Sequence, residues 1–438
     1  MATGNQLEKQ PAERNMSSEQ KLMDVLAQPK SVEDLDIPQS ILIDILLRLL
    51  YTEGNVDFRR MSQVTRVPYA LEQLLDWLRK EHLVEVSQTS ASYGPLNYIY
   101  KLSDSGEERA REAMDRCQYI GPVPVPVNRY NNAIKLQTTG PRMVTPEQVK
   151  QALHGLVLPD DFHRKIGPAI NSAASLFLYG PPGNGKTTIS LQISQLISGT
   201  EPIWIPYALT AGGQIIQIYD RLFHEELENE PKNEIDGRWG LFKRPSVVVG
   251  GEMKIDALDL RFDPLANFYE APLQLKANGG VFLIDDFGRQ QASPIDLLNR
   301  WIMPLENGVD FLRLRTGQTL VIPFRALIIF CTNLDPFHLA DEAFFRRIQM
   351  KVGIFNPDEA TYKRIFQKVC KQLGIIFDIT SYQHLMEKWY GEDERPLQAV
   401  HPRDILSIIN AICYYDNSHI QLTPNLIDQA CDIYFLKQ

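Results

Sequence analysis

Apolar and polar positions along this chain follow three successive patterns. From Ile41 to Glu53 the apolar residues recur at helical spacing, and the spacing predicts two further helices, Arg59 to Thr65 and Pro68 to Lys80, the latter with Leu71, Leu74, Leu75 and Leu78 on one face. Two β-like runs follow, Leu83 to Val86 and Tyr98 to Leu102, separated by a Ser/Gly/Pro loop, and Ser103 caps a charged helix. Beyond about residue 145 the pattern changes to short, fully apolar runs such as Ser175 to Tyr179 and Val281 to Ile284. Such runs suit strands buried on both faces of a parallel sheet. After about Gly353 the pattern is purely helical. Asn356 as cap, Pro357 at the first helical position, Glu359 three residues past the cap and Gly374 after the last turn mark one helix. Helices near Tyr382 to Tyr390 and Arg403 to Tyr415 follow, and Thr423-Pro424 opens the last.

These patterns divide the chain. Residues 1–36, rich in Gln, Glu, Lys, Ser and Asn, read as a flexible tail with room for one short helix. Residues 37–118, three helices followed by a two-stranded ribbon, resemble a winged helix-turn-helix module. Residues 119–144 form a Pro-rich linker, because Gly121 to Pro126 can neither coil nor pair as a central strand. An α/β core with a parallel sheet then spans residues 145–355, and an all-helical region spans 356–438. The separate module and stiff linker predict that each side folds without the other.

Composition narrows the class. The chain has 438 residues, 44% hydrophobic and 23% charged, which suits a soluble globular protein. The net charge of −9 argues against a whole-chain field that attracts DNA or anionic membrane. The early run Ile41 to Leu50 is too short to span a bilayer and carries Asp44 and Arg48. The first residues lack a signal-peptide pattern, and five scattered cysteines show neither a disulfide framework nor zinc spacing, so a cytoplasmic location is expected.

The chemistry lies in the core. Gly180-Pro181-Pro182-Gly183-Asn184-Gly185-Lys186-Thr187, followed by Thr188, matches the full phosphate-loop pattern between a strand and a helix. Its glycines let backbone N–H groups close around phosphate oxygens, Lys186 is expected to reach the β- and γ-phosphates, and Thr187 to ligate Mg²⁺. The strand Val281 to Ile284 ends in Asp285 and Asp286. Asp285 is placed to hold Mg²⁺ and Asp286 to act as general base for the attacking water. Asp286-Phe287-Gly288 also spells the magnesium tripeptide of protein kinases, but His401-Pro402-Arg403-Asp404 lies after it, the reverse of the kinase order.

At these residues the chain, over roughly Thr145 to Gln438, resembles the AAA+ ATPases, and within them the MoxR-like, helix-2-insert group. The strand Ala326 to Asn333 resembles the sensor-1 strand, which implies that Asn333 helps position the water. Leu339 to Arg347 resembles the helix ending in an arginine finger, which implies that Arg346 or Arg347 reaches the γ-phosphate of a neighbouring subunit. His401 to Asp404 resembles sensor 2, which assigns Arg403 to the nucleotide. The helix Leu297 to Glu306 with the alternating runs Val309 to Leu314 and Thr319 to Ile322 looks like the group's pre-sensor-1 hairpin. Two departures matter. The second acid is usually Glu, and Asp286 is one methylene shorter, which makes hydrolysis less secure than binding. Asp285 lies 99 residues beyond Lys186, which implies an insertion, placed at about 223–269, and inserts in relatives line the pore face.

The resemblance implies an ATP- and Mg²⁺-dependent, ring-forming ATPase, a homo-oligomer expected to be a hexamer, that remodels or assembles a protein partner. Two other functions stand beside it: a DNA-acting motor or regulator using the winged helix, and a nucleotide-operated assembly switch with little turnover. Residues 37–118 carry ten Lys and Arg against twelve Asp and Glu, and the third helix carries Glu72 and Asp76, whereas DNA-reading modules are usually basic. Protein recruitment is therefore favoured over DNA.

Overall fold

A computed structural model describes residues 17–89, 98–139, 144–159, 161–172, 175–228, 234–339, 345–391 and 395–436. Ser17 caps the first helix, α1 (Ser18–Leu26), by accepting from the Gln20 N–H. Next come α2 (Gln39–Glu53), β1 (Val56–Asp57), α3 (Phe58–Thr65), α4 (Pro68–Lys80), β2 (Val84–Thr89), β3 (Tyr98–Leu102) and α5 (Asp104–Arg116). The strands pair antiparallel in the order β1-β3-β2, so the ribbon expected to have two strands gains a short third one. The ribbon loop at 90–97 lies outside the described residues. Helix α4 buries the four leucines read from its sequence, and α5 packs on α2, where Arg48 donates to the Ala113 and Tyr119 carbonyls.

The segment expected to be a stiff linker is instead buried. Val123 and Val125 are fully enclosed, the Val123 N–H donates to the Thr65 carbonyl, and β4 (Val125–Pro126) pairs in parallel with a strand of the core. Proline is tolerated there because β4 lies at a sheet edge, where its missing N–H costs no ladder bond. Helix α6 (Val127–Thr138) follows directly. The expected flexible tail is also overturned for its described part. Helix α1 packs on α6, Leu26 and Leu35 are fully buried, and Arg129 donates to the Val25 and Ala27 carbonyls. Apolar residues too scattered for a periodic signal were enough to dock it.

Helices α7 (Pro146–Ala152) and α8 (Phe162–Asn171) lead into β5 (Leu176–Tyr179) and α9 (Lys186–Ser198). The chain then forms β6 (Ile203–Pro206), β7 (Ala208–Ala211), β8 (Gln214–Gln217), β9 (Trp239–Phe242), β10 (Ser246–Val249), β11 (Arg261–Asp263) and β12 (Phe268–Glu270). After the short α10 (Leu273–Lys276) come β13 (Val281–Ile284), α11 (Pro294–Asn307), the antiparallel hairpin β14 (Val309–Arg313) and β15 (Thr319–Pro323), β16 (Leu327–Thr332), α12 (Pro336–Leu339) and β17 (Met350–Gly353).

The central sheet is wholly parallel, in the order β10-β13-β16-β5-β17. Successive residues alternate between its faces. Leu176, Leu178, Val281, Leu283, Leu327 and Ile329 pack under α7, α8 and α9, and Phe177, Phe282, Ile284, Ile328 and Phe330 pack against Leu297, Leu298 and Trp301 of α11. With both faces covered, β13 and β16 are buried at every position, hence their unbroken apolar runs. The insertion boundaries need correction. Ser246–Val249, inside the expected 223–269 insert, is the edge strand β10 of this sheet. The added material lies on either side of it and builds a second sheet, β11-β12-β8-β7-β4, together with the pair β6-β9. Within the same stretch, Ile255–Leu258 form a 3₁₀ turn before β11. Residues 229–233 of this region lie outside the described residues.

The C-terminal region, called the lid below, is helical: α13 (Glu359–Leu373), α14 (Ile379–His384) continuing into a π-helical turn, α15 (His401–Tyr415) and α16 (Pro424–Tyr434). The cap of α13 is Asp358 rather than Asn356, since its carboxylate accepts from the Thr361 N–H. Asn356 has another task, described below.

Candidate functional site

The site forms where β5, β13 and β16 end. Parallel strands deliver their last residues to one edge, where a ligand can meet several loops at once. Leaving β5, the chain turns through Gly180, Gly183 and Gly185 at φ of +131°, +77° and +85° and enters α9 at Lys186. A Cβ on Gly180 would stand 2.2 Å from the Ile354 carbonyl oxygen, so that glycine is required by backbone packing as well as by φ. The first N–H groups of α9 face this turn and supply an anion site.

Lys186 is buried, and its Nζ donates to the carbonyls of Gly180 (2.8 Å) and Pro181 (2.7 Å). Burial pulls its ammonium below the ordinary value, against the opposing pull of Asp285 and Asp286. A phosphate chain entering the loop gives that ammonium a stronger partner. Pro182 is exposed at the loop's tip, and Thr188 lines the cavity behind it. Thr187 Oγ1 donates to Asp285 Oδ1 at 3.1 Å, which brings the two expected metal ligands together from residues 98 apart in sequence. Both are hard oxygen donors, and Mg²⁺ takes few protein ligands beside substrate phosphates. They therefore fit Mg²⁺, and the described residues contain no group of three or more His, Cys, Asp or Glu that would suit another metal.

Asp286 is exposed and adopts φ +48°, a left-handed conformation that Asp and Asn enter more readily than other side chains. Its Oδ1 accepts from Asn333 Nδ2 at 3.2 Å, so the acid and the amide at the end of β16 meet. The turn is held by a residue that the sequence did not single out. Gln290, largely buried, donates through Nε2 to the Asp285 (3.0 Å) and Asp286 (3.2 Å) carbonyls and accepts from the Gly288 N–H.

A second residue without a sequence signal of its own is Asn184, buried inside the phosphate loop. Its Nδ2 donates to Asn356 Oδ1 at 2.7 Å and its Oδ1 accepts from the Ala399 N–H, while the Gly183 carbonyl accepts from the Val400 N–H. The loop is thus bonded to the lid. Beside it lies a cavity of about 440 Å³ lined by the phosphate loop, Asn333, residues 155–158, Lys368 and Val369 of α13, and Arg403. Arg403 lines this cavity, its guanidinium paired with Asp404 at 2.9 Å.

Arg346 and Arg347 are not brought to it. The Arg347 carbonyl accepts from Ser175 Oγ at the entry to β5, the end opposite the phosphate loop and about 13 Å away at the usual rise of a strand. Arg347 Nε pairs with Glu306 at 2.5 Å, and Arg346 is exposed. The helix expected to carry them falls largely on residues 340–344, outside the described residues.

A family described as a domain of unknown function, DUF8689, matches residues 358–433, the lid. The chain is 27% identical to the vesicular-fusion protein SEC18 of Candida albicans over 246 residues, 54% of this chain and 25% of that protein. It is 38% identical to a vesicle-fusing ATPase of Dictyostelium discoideum over 53 residues, 12% of this chain and 7% of that one. The matched region thus spans a quarter or less of either relative's length. Among solved structures, Brucella abortus NtrX in complex with ATP aligns over 75% of this chain and 70% of its own at 13% identity and a TM-score of 0.37, too low to bear on the argument. No helix among the described residues is long and apolar enough to cross a membrane. The phosphate loop, the acids facing it and the similarity to these two fusion proteins together support the AAA+ ATPase family for this chain.

Proposed function

We propose that the chain binds and hydrolyses ATP with Mg²⁺ as a ring-forming AAA+ ATPase, of the MoxR-like group, that remodels or assembles a protein partner. The observation that carries this reading is the meeting of Thr187 with Asp285 and of Asp286 with Asn333 at the mouth of the phosphate loop. Lys186 and the loop N–H groups hold the phosphates. Thr187 and Asp285 would hold Mg²⁺, which when bound offsets charge developing on the phosphate oxygens. Asp286 takes the proton from the attacking water, and Asn333 orients acid and water alike. Arg403 touches the same cavity from the lid and senses the phosphates. In this reading the finger acts in trans, because both arginines lie at the far end of β5 from their own phosphate loop.

The N-terminal unit, in its winged-helix reading, recruits protein rather than DNA. A recognition helix presents its N-terminal turn to bases, and here that end abuts the core. The Arg66 carbonyl, just before α4, closes on Gly237, and the Arg66 guanidinium lies over the Tyr207 ring at 5.3 Å. Titrating the full chain with labelled duplexes at near-physiological salt tests this. Weak, sequence-independent binding is expected, and sub-micromolar sequence-dependent binding would favour the DNA-acting alternative. Phosphate release measured beside nucleotide affinity tests the enzyme reading. Tight ATP binding with no turnover, alone or with partner, would leave an assembly switch.

A further inference from the structure

The cavity beside the phosphate loop is polar at one end and apolar at the other. Toward the loop stand Lys186, Thr187 and Asn333, and away from it Leu156, Val157 and Leu158 face Ile365 and Val369 of the lid. Two apolar walls beyond an anion site make a slot for a flat ring carried on a phosphate chain. One wall is a helix and keeps its own shape. The other is the irregular segment between α7 and α8. It has little regular hydrogen bonding of its own, the Leu156 N–H to the Leu153 carbonyl and the His154 N–H to the Gln151 carbonyl being two such bonds. It is tied to the opposite wall by Lys368, whose ammonium donates to the His154 and Leu156 carbonyls. Among the described residues, this lid side chain ties the two walls of the slot together.

We propose that Lys368 is the positioning residue for the nucleoside base. By holding two carbonyls it fixes the wall against which the base stacks, and so it governs affinity for the nucleoside part of ATP without contributing to the grip on phosphate. The proposal rests on the nucleotide reading given above. The lid's other attachment, through Gly183, Asn184, Ala399 and Val400, clasps the phosphate end and does not involve Lys368. The two ends of the ligand are thus governed by separate contacts, and they can be separated by experiment.

The full chain carrying Lys368→Met or Lys368→Arg is titrated with ATP and with inorganic tripolyphosphate, and KM and kcat are measured for ATP. Charge-assisted hydrogen bonds are strong enough that their loss should weaken ATP binding about tenfold in the Met variant. Tripolyphosphate affinity should stay at the wild-type value and so report an intact fold, KM should rise with kcat little changed, and Arg should restore most of the affinity. Equal weakening of both ligands, or unchanged ATP affinity in the Met variant, would overturn the role of Lys368. A wild-type chain that binds neither ligand would instead defeat the nucleotide reading itself, and this proposal with it.

Discussion

Asp286 shows how one residue can be constrained by backbone and chemistry together. Its positive φ is tolerated by Asp, whose short side chain bonds locally, and is penalised for longer side chains. The departure from Glu thus has a conformational reason as well as a catalytic cost. Asp286→Glu should lower stability by about 1 kcal/mol in denaturant unfolding, the scale of left-handed strain in an ordinary residue. An unchanged midpoint would remove this explanation. Two buried histidines make stability depend on pH. His224 accepts from the Asp220 N–H at Nδ1 and lies 3.0 Å from the Lys276 carbonyl at Nε2, so a further proton has no acceptor, and burial pulls it down to about 4 from 6.5. His401, beside the Tyr390 hydroxyl, is pulled down to about 4 in the same way. Between those values the unfolded chain binds protons that the folded chain refuses, so stability is complete above about pH 6.5 and falls as pH is lowered toward 4. The melting temperature should drop over that window, and His224→Gln should make the drop shallower. An equal slope in the variant would exclude His224 as a source.

Among the elements, those with a strong local signal were legible. The boundaries of α4, β3 and α5 follow from capping residues and apolar period, and the hairpin β14-β15 follows from its alternation and its Thr316-Gly317 turn. The meeting of Thr187 with Asp285 was legible because strand-end chemistry is encoded in short motifs. What a sequence read in one dimension lacks is partnership. Val123 and Val125 sit between prolines and look like a spacer, yet they are buried because α3 offers the Thr65 carbonyl and β7 offers an edge. Ser246–Val249 looks like insert because its partner β13 is 32 residues further on. Gln290 and Lys368 act through backbone groups of remote segments and leave no motif, and the bonds of Asn184 to Asn356 and Ala399 are not encoded in the phosphate-loop motif that contains it. Arg238 is the sharpest case: fully buried, it pairs with Asp236 and donates to the Leu35 and Pro124 carbonyls, joining the N-terminal segment, the inter-unit segment and the second sheet. Removing Arg238 leaves the fully buried Asp236 to the longer contact with Arg129 at 3.3 Å and takes a donor from the Leu35 and Pro124 carbonyls. Arg238→Ala should therefore cost roughly 3–5 kcal/mol in unfolding experiments. A loss below about 1 kcal/mol would place the pair in a far wetter setting.

For the whole molecule, the independence expected of its two halves does not follow. The N-terminal core includes Ala208 and Ile215 of the second sheet, and the second sheet's core includes Leu26 and Val125. A chain starting at Asn128 would lose α1, β4 and the Leu35 and Pro124 carbonyls to which Arg238 donates, and should melt well below the full chain or aggregate. Full solubility and wild-type turnover from it would restore the modular view. The proposed trans-acting finger leads to a further expectation, that specific activity rises with protein concentration as subunits assemble. Lys186→Ala chains mixed with chains carrying Ala at both Arg346 and Arg347 should regain part of the turnover that each lacks, since mixed rings pair an intact phosphate site with a neighbour's intact arginine. Full activity from a strict monomer would contradict the finger.

The proposed function depends on one division of labour, with Lys186 holding phosphate and Asp286 activating water. Measuring ATP affinity and phosphate release side by side for Lys186→Ala and Asp286→Asn separates the two roles. The Lys186 variant should lose tight ATP binding, whereas the Asp286 variant should bind ATP as the wild type does and release no phosphate above background. Equal loss of binding in both variants, or undiminished turnover in the Asp286 variant, would contradict that division.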